Sequence, residues 1–142
     1  MAPQPTDVTP RRLRVLAVDD AAANLMVLAS LLRGECAAVR TIDCGSAALE
    51  AYQTFTPDLV FMDLSMPVMD GFTAAAAIRQ HEASAGLPRT AIIALTAFAI
   101  DDDLAARIAT SMDGHLSKPV RKADVQRVLT DWGQRLAVQT KS

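Results

Sequence analysis

The sequence predicts a single α/β domain in which helices cover both faces of a parallel sheet. Five short runs of β-favouring apolar residues alternate with five longer segments of helical period. The connections are short, so consecutive strands must be joined by right-handed crossovers, which produce a parallel sheet. The chain has 142 residues, of which 51% are hydrophobic. That is enough for one buried core but not for a second folded domain.

The predicted strands are short, mostly apolar runs of β-favouring residues. The runs are LRVLAV (13–18), AAVRTI (37–42), DLVFM (58–62), TAIIAL (90–95) and GHLS (114–117). The third and fourth runs are apolar almost throughout, which is typical of central strands that are buried on both faces.

The predicted helices are rich in Ala, Leu or Gln, which favour helix formation. They span residues 21–33, 45–54, 72–84, 101–110 and 121–135. Asp101, Asp102 and Asp103 stand at the start of the fourth helix, where capping and the helix dipole both favour negative charge.

The folded domain is expected over residues 12–138. Residues 1–11 hold three prolines and little that can pack, so we interpret them as a flexible tail or linker. Residues 139–142 are expected to form a second, short tail.

The composition of the chain argues against some classes of binding partner and site. The formal net charge is -2, and no basic stripe with interleaved aromatic residues is present, so direct nucleic-acid binding is not expected. Cys36 and Cys44 have no histidine beside them and indicate reduced thiols rather than a disulfide framework or a metal site. With no apolar stretch of membrane-spanning length, we expect a cytoplasmic domain.

Five polar residues that together could carry chemistry follow four of the five predicted strands. Asp19 and Asp20 follow the first strand, Asp63 the third, Thr96 the fourth and Lys118 the fifth. Any one of them alone is typical of a helix cap or a turn. Because ligands bind beyond the carboxyl ends of parallel strands, together they indicate a functional site at that edge.

The residue types of this set indicate phosphoryl chemistry. Three neighbouring carboxylates repel one another unless a cation lies among them. Oxygen ligands favour Mg²⁺, with Mn²⁺ as the alternative. A lysine and a hydroxyl opposite them would neutralise and hydrogen-bond a phosphoryl group. The set therefore suits a carboxylate nucleophile that attacks phosphorus.

Four motifs, in this order, resemble those of response regulator receiver domains, the phosphoacceptors of two-component phosphorelays. They are VLAVDD (15–20), LVFMDLSMPVMDG (59–71), IIALTA (92–97) and HLSKP (115–119). The resemblance covers about residues 12–135. The residues within the four motifs are similar to those in receivers of hybrid histidine kinases. It implies a flavodoxin-like, doubly wound, five-stranded parallel sheet in the order 2-1-3-4-5 with five helices.

The resemblance also implies a metal site. Asp63 would be the phosphoacceptor and a Mg²⁺ ligand. Asp20 would bind the metal directly, Asp19 largely through water, and Ser65 through its backbone carbonyl.

Further residues are implied to bind the phosphoryl group or to respond to it. Lys118 would pair with the phosphoryl oxygens, and Thr96 and the backbone N–H of Ala97 would donate hydrogen bonds to them. Thr96 and His115 would form the conformational switch, with the inward state of His115 favoured when its ring is neutral. The Lys118–Pro119 peptide would be cis.

The implied partner is a histidine kinase or a histidine phosphotransfer domain. The first helix offers two interpretations of its apolar residues. We expect Asn24, Val27, Leu28 and Leu31 to face inward, which leaves Leu25, Met26 and Ala29 outside. These three either dock the partner or pack against the N-terminal segment.

Competing functions are less well supported. A haloacid-dehalogenase-type enzyme needs a second acid two residues after its nucleophile, where this chain has Ser65. No G-x-x-x-x-G-K or G-x-G-x-x-G motif is present for nucleotides. A degenerate receiver that binds partners without phosphorylation would lack an acid or the lysine, and none is missing. We expect no enzyme activity beyond the domain's own phosphorylation and dephosphorylation, either as a single-domain regulator or in a hybrid kinase. The sequence predicts no oligomeric state.

Overall fold

The computed structural model describes residues 12–66 and 68–141. The strands are β1 Arg14–Val18, β2 Ala38–Ile42, β3 Leu59–Asp63, β4 Ala91–Thr96 and β5 Gly114–Ser117. The helices are α1 Ala22–Leu32, α2 Ala48–Phe55, α3 Gly71–Ala85, α4 Asp102–Ser111 and α5 Lys122–Lys141. The predicted tail at residues 1–11 lies outside the described residues, and the placing of the domain ends at 12 and 138 stays a prediction.

The five strands form one parallel sheet in the order β2-β1-β3-β4-β5, as predicted. Every residue of β3 and β4 is buried, whereas β2 at one edge is largely exposed. This is the pattern expected when helices cover a parallel sheet from both sides.

Two hydrophobic clusters lie on opposite faces of the sheet, because side chains alternate along a strand. Val60 and Met62 of β3 belong to the cluster that contacts α2, α3 and α4. Leu59 and Phe61 belong to the cluster that contacts α1 and α5. The sheet is therefore doubly wound, and within the described residues no helix is long and apolar enough to cross a bilayer.

Two helix boundaries differ from the prediction. The segment predicted as helix 45–54 begins with a 3-10 turn at Gly45–Ala47, and α2 starts at Ala48. Gly45 lies against the neighbouring loop so closely that a Cβ atom there would be 2.3 Å from the carbonyl oxygen of Met69. At the other end, α5 continues to Lys141 rather than ending at 135, because no proline and no glycine follow Gly133 to stop it.

The predicted inward face of α1 is wrong by one residue. Leu25, Leu28 and Leu32 are buried at helical spacing, whereas Met26 is 73% and Val27 54% exposed. Leu25 is therefore a core residue and not a docking residue. The helix begins at Ala22, and this start together with the leucine spacing sets its phase.

The acidic helix starts act as caps. Asp101 accepts a hydrogen bond from the backbone N–H of Leu104 at 2.8 Å, as the sequence predicts. Asp70 caps α3 in the same way through Thr73 N–H at 2.8 Å. This second cap fixes the start of the helix that follows β3.

Candidate phosphoacceptor site

Two adjacent strands bring the acidic residues together. Val18, the last residue of β1, pairs with Met62, so Asp19 and Asp63 lie side by side at the carboxyl edge. Asp19 is 1% and Asp63 2% exposed, whereas Asp20 faces solvent. One oxygen of each of these three carboxylates lies within 4.8 Å of the others. The predicted acidic cluster therefore exists.

Lys118 reaches this cluster from the far side of β4. Its backbone N–H donates to the carbonyl of Thr96 at 2.8 Å, which continues the β4–β5 pairing beyond Ser117. Its Nζ donates to Asp63 Oδ1 at 2.9 Å and lies 3.0 Å from Asp19 Oδ2. One ammonium group thus contacts both buried carboxylates.

Ser65, Thr96 and Ala97 lie at the carboxyl ends of the neighbouring strands β3 and β4. Thr96 ends β4, and its buried Oγ1 accepts a hydrogen bond from Phe98 N–H at 3.0 Å. Ser65 N–H donates to Asp63 Oδ1 at 3.2 Å, and both Ser65 and Ala97 are exposed at the start of loops. The hydroxyl, the carboxylate and two loop backbones therefore occur at the same edge of the sheet.

A close backbone contact fixes the loop that follows Asp63. A Cβ atom on Gly71 would lie 2.2 Å from the carbonyl oxygen of Asp63, so only glycine fits there. The backbone N–H of Gly71 also donates to the carbonyl of Leu64 at 3.3 Å. On the opposite side, the Lys118–Pro119 peptide is cis, as the resemblance implies.

Burial and charge both act on the site. Burial raises the pKa of Asp63, and the charge of Asp19 adds to this rise, against the opposing contacts of Lys118 and Ser65. Burial lowers the pKa of Lys118, but hydrogen bonds and charge from Asp63 and Asp19 outweigh it, so the net direction is upward. Lys118 therefore stays charged, and its single ammonium group can balance only one of the three carboxylates.

The donor set fits a hard divalent cation. Asp63 Oδ2 is buried and has no hydrogen-bond partner in the described part of the chain. Such an atom is costly unless a cation or donor binds it. The cluster offers only oxygen ligands, which suits Mg²⁺ or Mn²⁺.

Val27 is a surface residue beside the site that the sequence analysis assigned to the core. It lines a cavity of about 90 Å³ together with Asn24, Asp19, Lys118 and Pro119, among other residues. Leu25, Leu28 and Leu32 have helical spacing, but so do Asn24, Val27, Leu28 and Leu31, so the sequence carries no signal that singles out Val27 as exposed. Of the other predicted residues, Met26 is exposed, Ala29 is half-buried, and His115 is exposed on β5.

Sequence comparisons agree with this geometry. Residues 15–130 match the response regulator receiver domain family. The chain is 42% identical over 122 residues to the sensor histidine kinase GacS of Pseudomonas protegens, covering 86% of this chain and 13% of that protein. It is 30% identical to the chemotaxis protein CheY of Halobacterium salinarum, covering 83% of this chain and 94% of that protein.

Structural comparisons find the same fold. The Saccharomyces cerevisiae receiver domain of Ssk1, solved with the histidine phosphotransfer protein Ypd1, matches with a TM-score of 0.82 and 30% identity, covering 92% of this chain and 94% of that chain. The receiver domain of the sensor histidine kinase PA1611 from Pseudomonas aeruginosa, solved with magnesium in its active-site cleft, matches with a TM-score of 0.74 and 32% identity, covering 85% and 97% of the two chains. The fold is thus flavodoxin-like, and this chain belongs to the response regulator receiver domain family of two-component phosphorelays.

Proposed function

We propose that this receiver domain takes a phosphoryl group from a phosphohistidine onto Asp63, with Mg²⁺, and thereby changes its partner-binding surface. The observation that carries the proposal is the state of the Asp63 carboxylate. One oxygen is held by Lys118, and the other is buried without a partner among three carboxylates. The phosphoryl donor would be a histidine kinase or a histidine phosphotransfer domain.

The transfer is a single displacement at phosphorus. An oxygen of Asp63 forms the new O–P bond while the P–N bond of the phosphohistidine breaks, and the leaving imidazole keeps the electron pair. Lys118 is 2.9 Å from Asp63 and is therefore placed to pair with the phosphoryl oxygens. The Thr96 hydroxyl and the Ala97 N–H would donate to these oxygens, once the hydroxyl leaves Phe98.

Asp19, Asp20, Asp63 and the carbonyl of Ser65 would hold the metal ion. Mg²⁺ supplies the positive charge that lets three carboxylates and a phosphoryl group lie together. Mn²⁺ offers the same donor preference and is the alternative.

Mg²⁺ is expected to stabilise the fold, because it binds the native cluster and not the unfolded chain. At a concentration 100 times the dissociation constant, the gain in unfolding free energy is about 2.7 kcal/mol. Thermal unfolding in MgCl₂ and in KCl of equal ionic strength measures it. An equal midpoint of thermal unfolding in the two salts would contradict the assignment of a Mg²⁺ site. An equal gain in stability from MgCl₂ in the double variant Asp19→Asn/Asp20→Asn would contradict it as well.

The exposed apolar face of α1 is our proposed docking surface for the phosphodonor, here meaning Met26 and Val27. Met26→Asp is expected to slow transfer from a phosphorylated histidine phosphotransfer protein by about tenfold, since docking would bury an unpaired carboxylate in an apolar contact. Stopped-flow or quench kinetics measure it, with circular dichroism to confirm folding. Leu87→Asp, at an exposed loop residue before β4, is the matched control. Equal transfer rates for the two variants would exclude this surface.

Leu25→Asp does not test docking, because it buries a charge in the core. Ala29 is half-buried and adds little accessible surface. The alternative, in which this face packs against the N-terminal segment, involves residues outside the described part of the chain.

We also propose that Thr96 and His115 act as the switch. His115 is exposed on β5, next to β4 through the pairing of Ala94 with His115. The His115 ring is expected to turn inward, towards Thr96, when Asp63 is phosphorylated. NMR of the His115 ring before and after phosphorylation measures this, and an unchanged ring orientation contradicts it.

The biological setting is also a proposal. The chain spans 13% of the length of the GacS protein it matches and 94% of the CheY protein. We propose that it works in the cytoplasm as a phosphorelay acceptor of the hybrid-kinase type, since its similarity to GacS is the higher of the two, without binding nucleic acid directly. A single-domain regulator is the alternative.

A further inference from the structure

Val68 combines two unfavourable features at the tip of the loop that follows the phosphoacceptor. Its φ is 68°, in the left-handed region, where a β-branched side chain is a rare outlier. Its side chain is also fully exposed, so its apolar surface gains nothing from burial. Neither feature helps the folded state.

The neighbours of Val68, and not Val68 itself, hold the loop in place. Met66 is 7% exposed within the core cluster that Met69 packs against. The carbonyl of Met69 lies against Gly45, and Gly71 contacts the backbone of Asp63. Glycine or asparagine would adopt the left-handed backbone of residue 68 at lower cost than valine. The stability of the fold therefore does not explain why residue 68 is valine rather than glycine or asparagine.

The position of Val68 at the tip of the loop suggests a role in contact with a partner. The loop begins after Asp63 and ends at Gly71, which contacts the Asp63 backbone. Val68 therefore belongs to the rim of loops around the carboxyl edge of the sheet, the edge at which the acidic site lies. A protein-bound phosphohistidine must approach Asp63 to within bonding distance, and its carrier must then pass close to this rim. Phe98, 65% exposed on the loop after β4, adds a second apolar side chain to the rim.

We infer that Val68 is a specificity-determining contact for the protein that delivers the phosphoryl group. This inference rests on the proposed function. The partner surface it fits is an apolar patch beside the phosphorylated histidine, since a branched alkyl group binds apolar and not charged groups. Backbone strain retained at the edge of a reactive site is the pattern expected where a residue serves recognition.

Two variants and two phosphodonors test the inference. Val68→Asn relieves the backbone strain and removes the alkyl group, whereas Val68→Thr keeps the branched shape and removes only its apolar character. Phosphoramidate delivers a phosphoryl group without a protein surface, and phosphorylated Ypd1 delivers one from a histidine phosphotransfer protein. Leu87→Asn, at a site 44% exposed on the loop before β4, is the control for loss of an exposed apolar residue.

The expected results separate recognition from stability. Val68→Asn is expected to raise the thermal midpoint by about 3–6 °C. Transfer from phosphorylated Ypd1 is expected to fall by about tenfold in both Val68 variants. Phosphorylation by phosphoramidate, and both reactions of Leu87→Asn, are expected to stay within about twofold of the unmodified chain.

Three results overturn the inference. The first is a lower thermal midpoint in Val68→Asn, which would mean that the fold needs valine. The second is unchanged transfer from Ypd1 in either variant. The third is an unmodified chain that reacts with phosphoramidate and not with Ypd1. Failure to react even with phosphoramidate would instead refute the proposed function.

Discussion

The chain carrying Asp63→Asn is expected to take up no phosphoryl group from acetyl phosphate and Mg²⁺, whereas the unmodified chain takes up one. An amide nitrogen and oxygen cannot replace the carboxylate as a nucleophile, although the volume of the side chain is unchanged. The buried oxygen without a partner and the Lys118 contact both belong to this residue. Intact mass after incubation measures the adduct directly.

Asp43→Asn is the matched control for this experiment. Asp43 follows β2 at the same edge of the sheet and is exposed. This variant should be phosphorylated like the unmodified chain, and a chelator should prevent phosphorylation of both. An adduct that survives in Asp63→Asn would place the nucleophile elsewhere. No adduct on any chain would favour a receiver that binds partners without phosphorylation.

Replacing Arg79 by methionine is expected to lower the free energy of unfolding by about 2–4 kcal/mol. The guanidinium group donates to Glu82 at 2.8 Å and to Asp113 at 2.8 Å. It also donates to the backbone carbonyls of Thr90 at 2.7 Å and Ser111 at 3.0 Å. Its removal leaves two nearly buried carboxylates without this cation and two carbonyls without this donor.

Urea unfolding measures the loss, with Arg127→Met as the control. The Arg127 side chain is 68% exposed and pairs only with Asp124 in the described contacts, so its removal should cost less than about 0.5 kcal/mol.

The loss of unfolding free energy in Arg79→Met is smaller than that expected for an unpaired buried charge, because other donors to the two carboxylates remain. Tyr52 and the Thr90 N–H still donate to Glu82, and Arg89 still donates to Asp113. Equal stability of the two variants would show that the Arg79 contacts contribute nothing.

The Arg79 network could not be predicted from the sequence. Its partners lie 3, 11, 32 and 34 residues away from Arg79 along the chain. Nothing in local periodicity relates the end of α4 or the start of β5 to the middle of α3. The contact exists because three helices pack on one face of the sheet.

The buried face of α1 also could not be predicted from the local sequence. Leu25, Val27 and Leu28 are all apolar, and either Leu25 or Val27 can be placed inward when the start of the helix is uncertain. A shift of one residue rotates the buried face by about 100°. Packing against β1 and α5 selects the face of Leu25, Leu28 and Leu32, which exposes Val27 beside the site.

The sequence by itself determined the five strands and the edge at which Asp19, Asp63, Thr96 and Lys118 meet. The reason is that alternating apolar runs and helices permit few topologies, and parallel strands bring their carboxyl ends together. Only the tertiary structure decided that one ammonium group contacts both buried carboxylates, which face of α1 is exposed, and that Val68 is strained at the rim. Those features depend on distances between segments that are remote in the chain, and packing of the whole domain sets these distances.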